Sequence, residues 1–192
     1  MEFRLTYQGR LPAASQTNTR AADKHRIRRA LHPQLRSFWK DDPRLRRYME
    51  QKHKEQFWAD LLANDYERCG YRFLPLVGGP AGDDACALDI LFLRRDQPGG
   101  LIKSGGDIDN RLKVLLDALR VPGPCKEVAG ESPTPDEDPF FCLMTDDKLI
   151  TEIKVTTDRL LTQPIEGENV NDIQLVIHVR TISYARYIEY DR

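Results

Sequence analysis

An amphipathic helix is the feature that most constrains the fold of this chain. In the stretch SGGDIDNRLKVLLDALR, residues 104–120, apolar side chains recur at the spacing of one helical face: Ile108, Leu112, Leu115, Leu116 and Leu119. Two glycines precede the helix and let the backbone come close to another segment or a ligand. A helix with one apolar face buries that face against other elements of its domain. The stretch therefore predicts a packed, globular fold.

Alternating polar and apolar residues predict β-strands on both sides of this helix. Residues 3–7 and 149–155 alternate, and DIQLVIHVRTI places four aliphatic side chains on one face. YRFLPLV and ACALDILFLRR are apolar runs separated by GGPAGDD, which predicts a hairpin. Asp89, inside the second run, is expected on the wetter face of the sheet. The order of elements predicts an α+β fold with one mixed β-sheet flanked by helices.

Length and composition favour one domain over residues 1–192 in a cytoplasmic protein. No apolar stretch approaches the roughly 20 residues that a membrane helix needs, and the start MEFRLTYQGR resembles a strand more than a signal peptide. The four cysteines form no Cys-x-x-Cys pair, and the four histidines do not have zinc-ligand spacing. We therefore expect reduced, mostly buried thiols and no zinc site.

Charge is distributed unevenly along the chain. Residues 20–54 carry 12 lysines and arginines against four acidic residues, whereas the remainder carries 17 against 26. Residues 20–65 are predicted to form a basic helical segment, with a first helix interrupted near Pro33 and a second from Pro43 to about Asn64. Residues 122–140, rich in proline and acids, predict a surface insertion without regular structure. The basic segment can bind a polyanion, face solvent, or meet an acidic surface of the same protein.

The aspartates at the start of the amphipathic helix have two explanations. Asp107 and Asp109 can cap the helix and complement its dipole, and Asp109–Lys113 and Lys113–Asp117 have the spacing of ordinary ion pairs. Alternatively, they bind a metal ion together with a second acidic pair, Asp146–Asp147, at the start of a strand. Mg²⁺ prefers carboxylate oxygens and retains several waters, so such pairs would suit it.

Two motifs resemble the RusA family of Holliday-junction resolvases. GDIDNRLKVLLDAL matches an Asp-x-Asp-Asn element, a lysine six residues after the first aspartate, and Asp-Ala-Leu. TDDKLITEIKV downstream matches an Asp-Asp pair that leads into a strand. The resemblance covers residues 86–181, and it is carried by the order and spacing of these elements.

The resemblance implies a Mg²⁺-dependent endonuclease with a RusA-like fold, which acts as a homodimer and nicks opposing strands of a four-way DNA junction. It implies Asp107, Asp109 and Asp147 as metal-binding and catalytic carboxylates, Asp146 as a further metal ligand, and Lys113 as the essential cation. The long 122–140 insertion and the extended basic segment depart from the family pattern. Either departure can change the choice of substrate, the pairing of subunits or the binding of a partner.

Basic side chains along the chain are candidate contacts to DNA phosphates. They come from the basic segment and from the residues around the helix motif: Arg26, Arg28, Arg29, Arg36, Arg44, Arg46, Arg47, Arg94, Arg95 and Lys103. The neutral side chain of Asn110 is a further candidate for DNA binding. Two other functions stay open. The chain can be a non-catalytic module that binds branched DNA or a protein, or a nuclease that acts on flaps or single strands.

Overall fold

The chain combines helices with strands in two sheets. The computed structural model describes residues 1–14, 20–51, 66–80, 82–95, 108–123, 125–164, 169 and 172–184. The helices are α1 (Ala21–Asp41), α2 (Pro43–Gln51) and α3 (Ile108–Leu119), with 3₁₀ turns η1 (Cys125–Val128), η2 (Pro135–Glu137) and η3 (Asp147–Leu149). The strands are β1 (Glu2–Gly9), β2 (Glu67–Arg68), β3 (Tyr71–Val77), β4 (Ala85–Arg94), β5 (Phe140–Met144), β6 (Ile150–Arg159) and β7 (Ile173–Ile182). The predicted α+β class is confirmed.

The strands form two mixed sheets instead of the single sheet predicted. The larger sheet has the order β1-β7-β4-β6, with β4 and β6 parallel and the other pairs antiparallel. The smaller sheet has the order β2-β3-β5, with β3 and β5 parallel. Asp89 pairs in register with His178 and Lys154, and its carboxylate contacts the Lys154 ammonium at 2.9 Å. Asp89 therefore lies on the wetter face, as predicted.

The predicted hairpin between β3 and β4 is wrong. β3 pairs with β5, whereas β4 pairs with β6 and β7, so the segment between them crosses from one sheet to the other. The Asp84 amide donates to the Ile182 carbonyl at 2.8 Å, which joins this segment to the larger sheet. Nearly every residue of β3 is buried, and a strand covered on both faces is typical of parallel pairing. Apolar composition alone did not reveal that partner.

Helix α3 lies against the core, as its apolar stripe predicts. Leu115, Leu119 and Ala118 are buried, while Leu112 and Leu116 pack at the edge of the same cluster. The core joins these residues to the inner faces of the larger sheet and of α1. At roughly 25 cal/mol per Å² of apolar surface, this burial is the main source of stability. The exposed side of α3 carries Asp109 and Lys113.

Helix α1 is continuous, so the predicted interruption near Pro33 is wrong. It packs against α3, β5 and β1, and its side chains Ile27, Leu31, Leu35 and Trp39 are buried. Packing along this length outweighs the local cost of an internal proline. Helix α2 begins at Pro43, as predicted, and is described as far as Gln51; residues 52–65 lie outside the described residues. Among the described helices, none has the length and apolar character needed to cross a membrane.

Two of the four cysteines form a disulfide, so the expectation of four reduced thiols is wrong. Cys69, at the β2–β3 turn, is bonded to Cys125 at the start of η1, with 5.3 Å between their Cα atoms. The pairing joins segments far apart in sequence, which spacing did not reveal. Cys86 and Cys142 are buried free thiols, and burial raises their pKa values to about 11 and about 12.

Two buried histidines on α1 are held in the neutral form. The Nδ1 of His25 faces the Arg28 guanidinium at 3.4 Å, and since arginine only donates, this nitrogen accepts. His32 accepts from the Phe141 amide at 2.9 Å through Nδ1, and its Nε2 donates to the Asp136 carbonyl at 3.1 Å. Burial and neighbouring guanidinium groups lower the pKa of His25 to about 4, and burial lowers the pKa of His32. Protonation of either ring removes an acceptor that the fold uses.

Acidification is therefore expected to destabilise the protein below the ordinary histidine pKa. The unfolded chain binds a proton at His25 near pH 6.5, whereas the folded protein does so only near pH 4, so the free energy of unfolding falls between these values. The contribution of His25 is about 3 kcal/mol, since each pKa unit corresponds to about 1.4 kcal/mol. Urea unfolding from pH 7 to 4 should show a smaller decrease in His25→Gln than in the wild type. Equal decreases would contradict the neutral, buried His25.

Candidate active site

The first turn of α3 carries an exposed carboxylate and is hydrogen-bonded to the segment that follows β1. The Asp109 carboxylate accepts from the Asn110 amide at 2.8 Å and is exposed to solvent. The Arg111 guanidinium donates to the Leu11 carbonyl at 2.8 Å, and the Ala14 amide donates to the Asn110 carbonyl at 3.3 Å. These bonds fix the turn against the segment after β1. Asp107 and Lys103 lie outside the described residues.

Lys113 does not make the ion pairs that its spacing suggests. It is exposed, and among the described residues it forms no salt bridge with Asp109 or Asp117. Asp117 is buried and pairs with Lys24 at 2.7 Å and with Arg120 at 3.0 Å. The explanation by ordinary i,i+4 pairs therefore fails for Lys113. Among the described residues, no acidic side chain pairs with its ammonium group.

The second acidic pair lies at the start of η3. The Asp146 carboxylate caps this turn by accepting from the Lys148 amide at 3.0 Å, and the Lys148 ammonium lies 3.4 Å from it. The hydrogen bond from the backbone amide, followed by the charge of Lys148, lowers the pKa of Asp146. Asp147 follows in the first position of the turn and is exposed. Asp146 is therefore ionised at neutral pH.

Helix α3 and turn η3 are neighbours in space. The Val121 amide, just after α3, donates to the Met144 carbonyl at 2.9 Å. Arg120 forms an isolated parallel β-bridge with Met144, the last residue of β5. η3 begins three residues after Met144 and contacts α3. The fold thus places η3 close to α3, although the 122–140 insertion separates them in sequence; the hydrogen bond and the bridge lie at the end of α3, eleven or twelve residues after Asp109. Leu149 at the end of η3 packs against the core cluster that includes α3.

The acidic side chains have the chemistry of a magnesium site. In the described part of the chain, no group of three or more His, Cys, Asp or Glu side chains is placed to hold a metal ion. Mg²⁺ commonly binds through one or two carboxylates, with waters and substrate phosphates completing its shell, so it does not require such a group. Asp109, Asp146 and Asp147 supply hard oxygen donors at or near the surface. These residues fit Mg²⁺ in donor type.

Several arginines predicted to contact DNA form hydrogen bonds or ion pairs within the fold. Arg28 is 1% exposed and donates to the carbonyls of Asp117 at 2.9 Å and Arg120 at 3.2 Å, so the prediction that it contacts DNA is wrong. Arg44 pairs with the buried Asp83 at 3.1 Å. Arg95 donates to backbone carbonyls that include that of Thr162 at 3.0 Å. Burial excludes a DNA contact for Arg28 alone, since Arg44 keeps 42% of its side chain exposed and Arg95 is half-buried.

The acidic insertion covers part of the basic helix. Arg29 pairs with Glu131 and, at 2.7 Å, with Glu137, and its guanidinium also donates to the Ser132 carbonyl. Arg36 pairs with Asp136 at 3.5 Å. The third explanation of the basic segment, contact with an acidic surface of the same protein, is therefore the one observed here. The insertion is ordered over its described residues and contains η1 and η2.

The remaining candidates for DNA contact differ in exposure. Arg26 pairs with Asp23 at 2.9 Å, and Arg46 with Glu50 at 3.8 Å; both pairs involve neighbouring turns of one helix. Arg47 is exposed on α2, and Arg94 is half-buried at the end of β4. Surface pairs of this kind contribute between zero and about 1 kcal/mol, so phosphate can replace them at little cost. The exposed cations of α2 remain the best candidates from the basic segment.

A cavity of about 410 Å³ opens beside Asp146 and was not anticipated from the sequence. Its lining includes Tyr66, Arg68, Gly78, Arg120, Gly123 and Asp146. The strand that carries Arg68 is only two residues long, so it left no periodic signal. Proximity of these residues to Asp146 depends on the pairing of β3 with β5, which the predicted hairpin had excluded.

Comparison with known proteins finds no matching family, no similar curated protein and no similar solved structure. The resemblance to RusA resolvases therefore depends on the two sequence motifs alone.

Proposed function

We propose that this protein is a Mg²⁺-dependent endonuclease that cuts branched DNA, with the four-way junction as its preferred substrate. The observation that carries the proposal is the contact between α3 and η3. One element presents Asp109 and Lys113, and the other presents Asp146 and Asp147. The order of these residues in the RusA-like motifs supports the same assignment.

The carboxylates are assigned to the metal and Lys113 to the substrate. Asp107, Asp109, Asp146 and Asp147 would hold Mg²⁺. The bound ion would supply activation of water and neutralisation of charge on the scissile phosphate. Lys113 donates to a non-bridging phosphate oxygen, where negative charge develops as the bond breaks. Its lack of an ion pair among the described residues leaves the ammonium free for this role.

Pairing of two subunits explains how one chain makes two cuts. A homodimer with twofold symmetry presents the same site twice, so that opposing strands of a junction are nicked symmetrically. Arg46 and Arg47 on α2 contribute phosphate contacts outside the catalytic site, because both are exposed. Such contacts add affinity without selecting a base sequence.

The proposal is tested by incubating the full chain with a panel of labelled DNAs in Mg²⁺ and in EDTA. The panel contains a four-way junction, a flap, a single strand and a linear duplex. We expect paired nicks in the junction that require Mg²⁺, because the carboxylates need the ion to act on phosphate. Asp89→Asn is the control for substitutions of the site aspartates and should cleave as the wild type does. The Asp89 carboxylate is half-exposed and paired with Lys154 on the face of the larger sheet.

The other outcomes separate the alternatives. Cleavage of flaps or single strands alone would retain the active site and reject the junction as substrate. Salt-sensitive binding of junctions without cleavage in Mg²⁺ would reject the nuclease and identify a binding module. Cleavage that is undiminished in EDTA would reject the role of the metal.

A further inference from the structure

The cavity beside Asp146 is built from segments that the fold holds together. Tyr66, just before β2, and Arg68 in β2 line one part of the cavity; residues 120–123 and residues 145–146 line another. The Thr145 amide donates to the Val77 carbonyl at 3.0 Å, and the Val121 amide donates to the Met144 carbonyl at 2.9 Å. These backbone hydrogen bonds fix the second part of the lining to β3 and β5.

A covalent link also joins the two parts of the lining. Cys69, next to Arg68, has a φ of 59°, and Gly70 has a φ of 79°, so a tight turn returns the chain from β2 to β3. Cys69 is bonded to Cys125, two residues beyond Gly123. The disulfide thus fixes β2 relative to the segment that follows α3. A preorganised cavity loses less entropy when it binds a ligand.

The two arginines that line the cavity differ in how far they are neutralised. Arg120 pairs with Asp117 at 3.0 Å and with Glu127 at 3.2 Å, so its charge is compensated inside the protein. Arg68 donates to the carbonyl of Glu67 at 3.1 Å and pairs with no carboxylate in the described part of the chain. Within the described residues, Arg68 is thus the cavity arginine that has no carboxylate partner.

The chemistry of the lining suits one phosphodiester group with its nucleotide. A guanidinium binds phosphate through two parallel hydrogen bonds. The ring of Tyr66, whose hydroxyl donates to the Gly78 carbonyl at 3.3 Å, lies in the same cavity and offers a surface for stacking a base. The Asp146 carboxylate also lines the cavity, with the Lys148 ammonium 3.4 Å from it. A divalent ion at Asp146, as assigned in the proposed function, would add positive charge beside the cavity and favour phosphate there.

We propose that this cavity binds the DNA phosphate next to the one that is cut, with Arg68 as its ligand. The inference rests on the proposed function, because it assigns Asp146 to the metal site. It adds a residue that positions the strand: Arg68 fixes the neighbouring phosphate, and the scissile phosphate is thereby held near Lys113 and the carboxylates. The substrate class is a nucleic-acid strand, and the cavity is its subsite for one nucleotide.

The test measures binding separately from cleavage. Affinity of the full chain for a labelled four-way junction is measured over a range of salt concentrations, in EDTA and in Ca²⁺. Each phosphate contact contributes about 0.9 to the slope of log K against log salt. We expect Arg68→Met to reduce the slope by about this amount in Ca²⁺, with a smaller reduction in EDTA. Arg68→Lys should retain most of the slope because it keeps the charge.

Arg4→Met is the matched control. Arg4 is an exposed arginine on β1, the edge strand of the larger sheet, and it too forms no salt bridge within the described ranges. Its loss should leave the slope in Ca²⁺ at the wild-type value. Thermal unfolding confirms that each variant is folded; if Arg68→Met is not, Arg68→Gln replaces it.

The outcomes distinguish this inference from the proposed function. A wild-type slope in Arg68→Met, in both EDTA and Ca²⁺, would overturn the cavity assignment even if the wild-type protein cleaves junctions in Mg²⁺. A reduced slope in Arg68→Met would support the phosphate site. If the wild-type protein then failed to cleave any DNA, the proposed function alone would be rejected.

Discussion

Cleavage of a four-way junction is expected to slow by about 10²–10³-fold when Lys113 is replaced by methionine, the usual cost of losing one group that stabilises charge in the transition state. Methionine keeps the length and most of the aliphatic stem of lysine, so the change removes the charge with little effect on packing. Lys113 is exposed and forms no ion pair in the described structure, so the fold does not depend on it. The rate is measured under single-turnover conditions in Mg²⁺.

Lys154→Met provides the matched control for Lys113. Lys154 is also an exposed lysine, and it pairs with Asp89 on the face of the larger sheet. Its loss should leave the rate unchanged within a factor of two or so, since surface pairs contribute little. Binding of the junction by Lys113→Met should change far less than the rate, because its contact strengthens as the phosphate becomes more negative. A wild-type cleavage rate in Lys113→Met would contradict its assignment.

Replacement of Asp117 by asparagine is expected to lower the free energy of unfolding by about 3–5 kcal/mol, the cost of leaving the partner of a buried ion pair uncompensated. Asp117 is 9% exposed and Lys24 is 6% exposed, and their charged groups are 2.7 Å apart. Arg120 also contacts the Asp117 carboxylate. Asparagine preserves the shape but removes the charge that compensates Lys24. Urea unfolding at pH 7 measures the difference.

Asp89→Asn is the control for this comparison. Asp89 pairs with Lys154 in an exposed setting, so its replacement should change the free energy of unfolding by less than about 1 kcal/mol. If Asp117→Asn were as stable as the wild type, the buried cluster that joins α1 to α3 would not contribute to stability as argued. A normal cleavage rate in folded Asp117→Asn would further separate Asp117 from the catalytic group.

Local pattern was enough to predict α3 and β7, whereas the pair Asp146–Asp147, predicted at the start of a strand, lies at the start of the 3₁₀ turn η3 before β6. The apolar stripe of α3 predicted its buried face. The alternation in β7 predicted one shared face for Ile173, Leu175, Ile177 and Val179, and the burial of all four confirms it. The position of Asp89 followed from the same rule. Each of these predictions depends on periodicity within one element, which the sequence contains directly.

Pairing between distant segments was beyond that reasoning. The hairpin was wrong because a buried parallel strand and a hairpin strand have similar apolar composition, and the partner of β3 is β5. Arg28 looked like part of a basic face, yet α1 packs against α3 and the segment after it, where backbone carbonyls accept from its guanidinium. The Cys69–Cys125 disulfide likewise follows from the contact between η1 and the β2–β3 turn. In each case tertiary contact decided the role of the side chain.

The charges of Asp117 and Lys113 illustrate the same limit within a single helix. Spacing placed Lys113 equally well to pair with Asp109 or Asp117. The fold gives Asp117 to Lys24 and Arg120, and leaves Lys113 unpaired among the described residues. Asp117 pairs with Lys24 on α1, a helix distant in sequence, so a pattern within α3 could not predict this ion pair.

Binding of Mn²⁺ in the absence of DNA tests most directly whether α3 and η3 serve one metal site. Mn²⁺ substitutes for Mg²⁺ at oxygen ligands, and its free concentration can be followed by electron paramagnetic resonance. The affinity should fall by roughly tenfold or more in both Asp109→Asn and Asp147→Asn, as expected when the ligand environment of a metal is disrupted. Asp89→Asn should bind as the wild type does. Wild-type affinity in either Asp109→Asn or Asp147→Asn would contradict a metal site shared by the two elements.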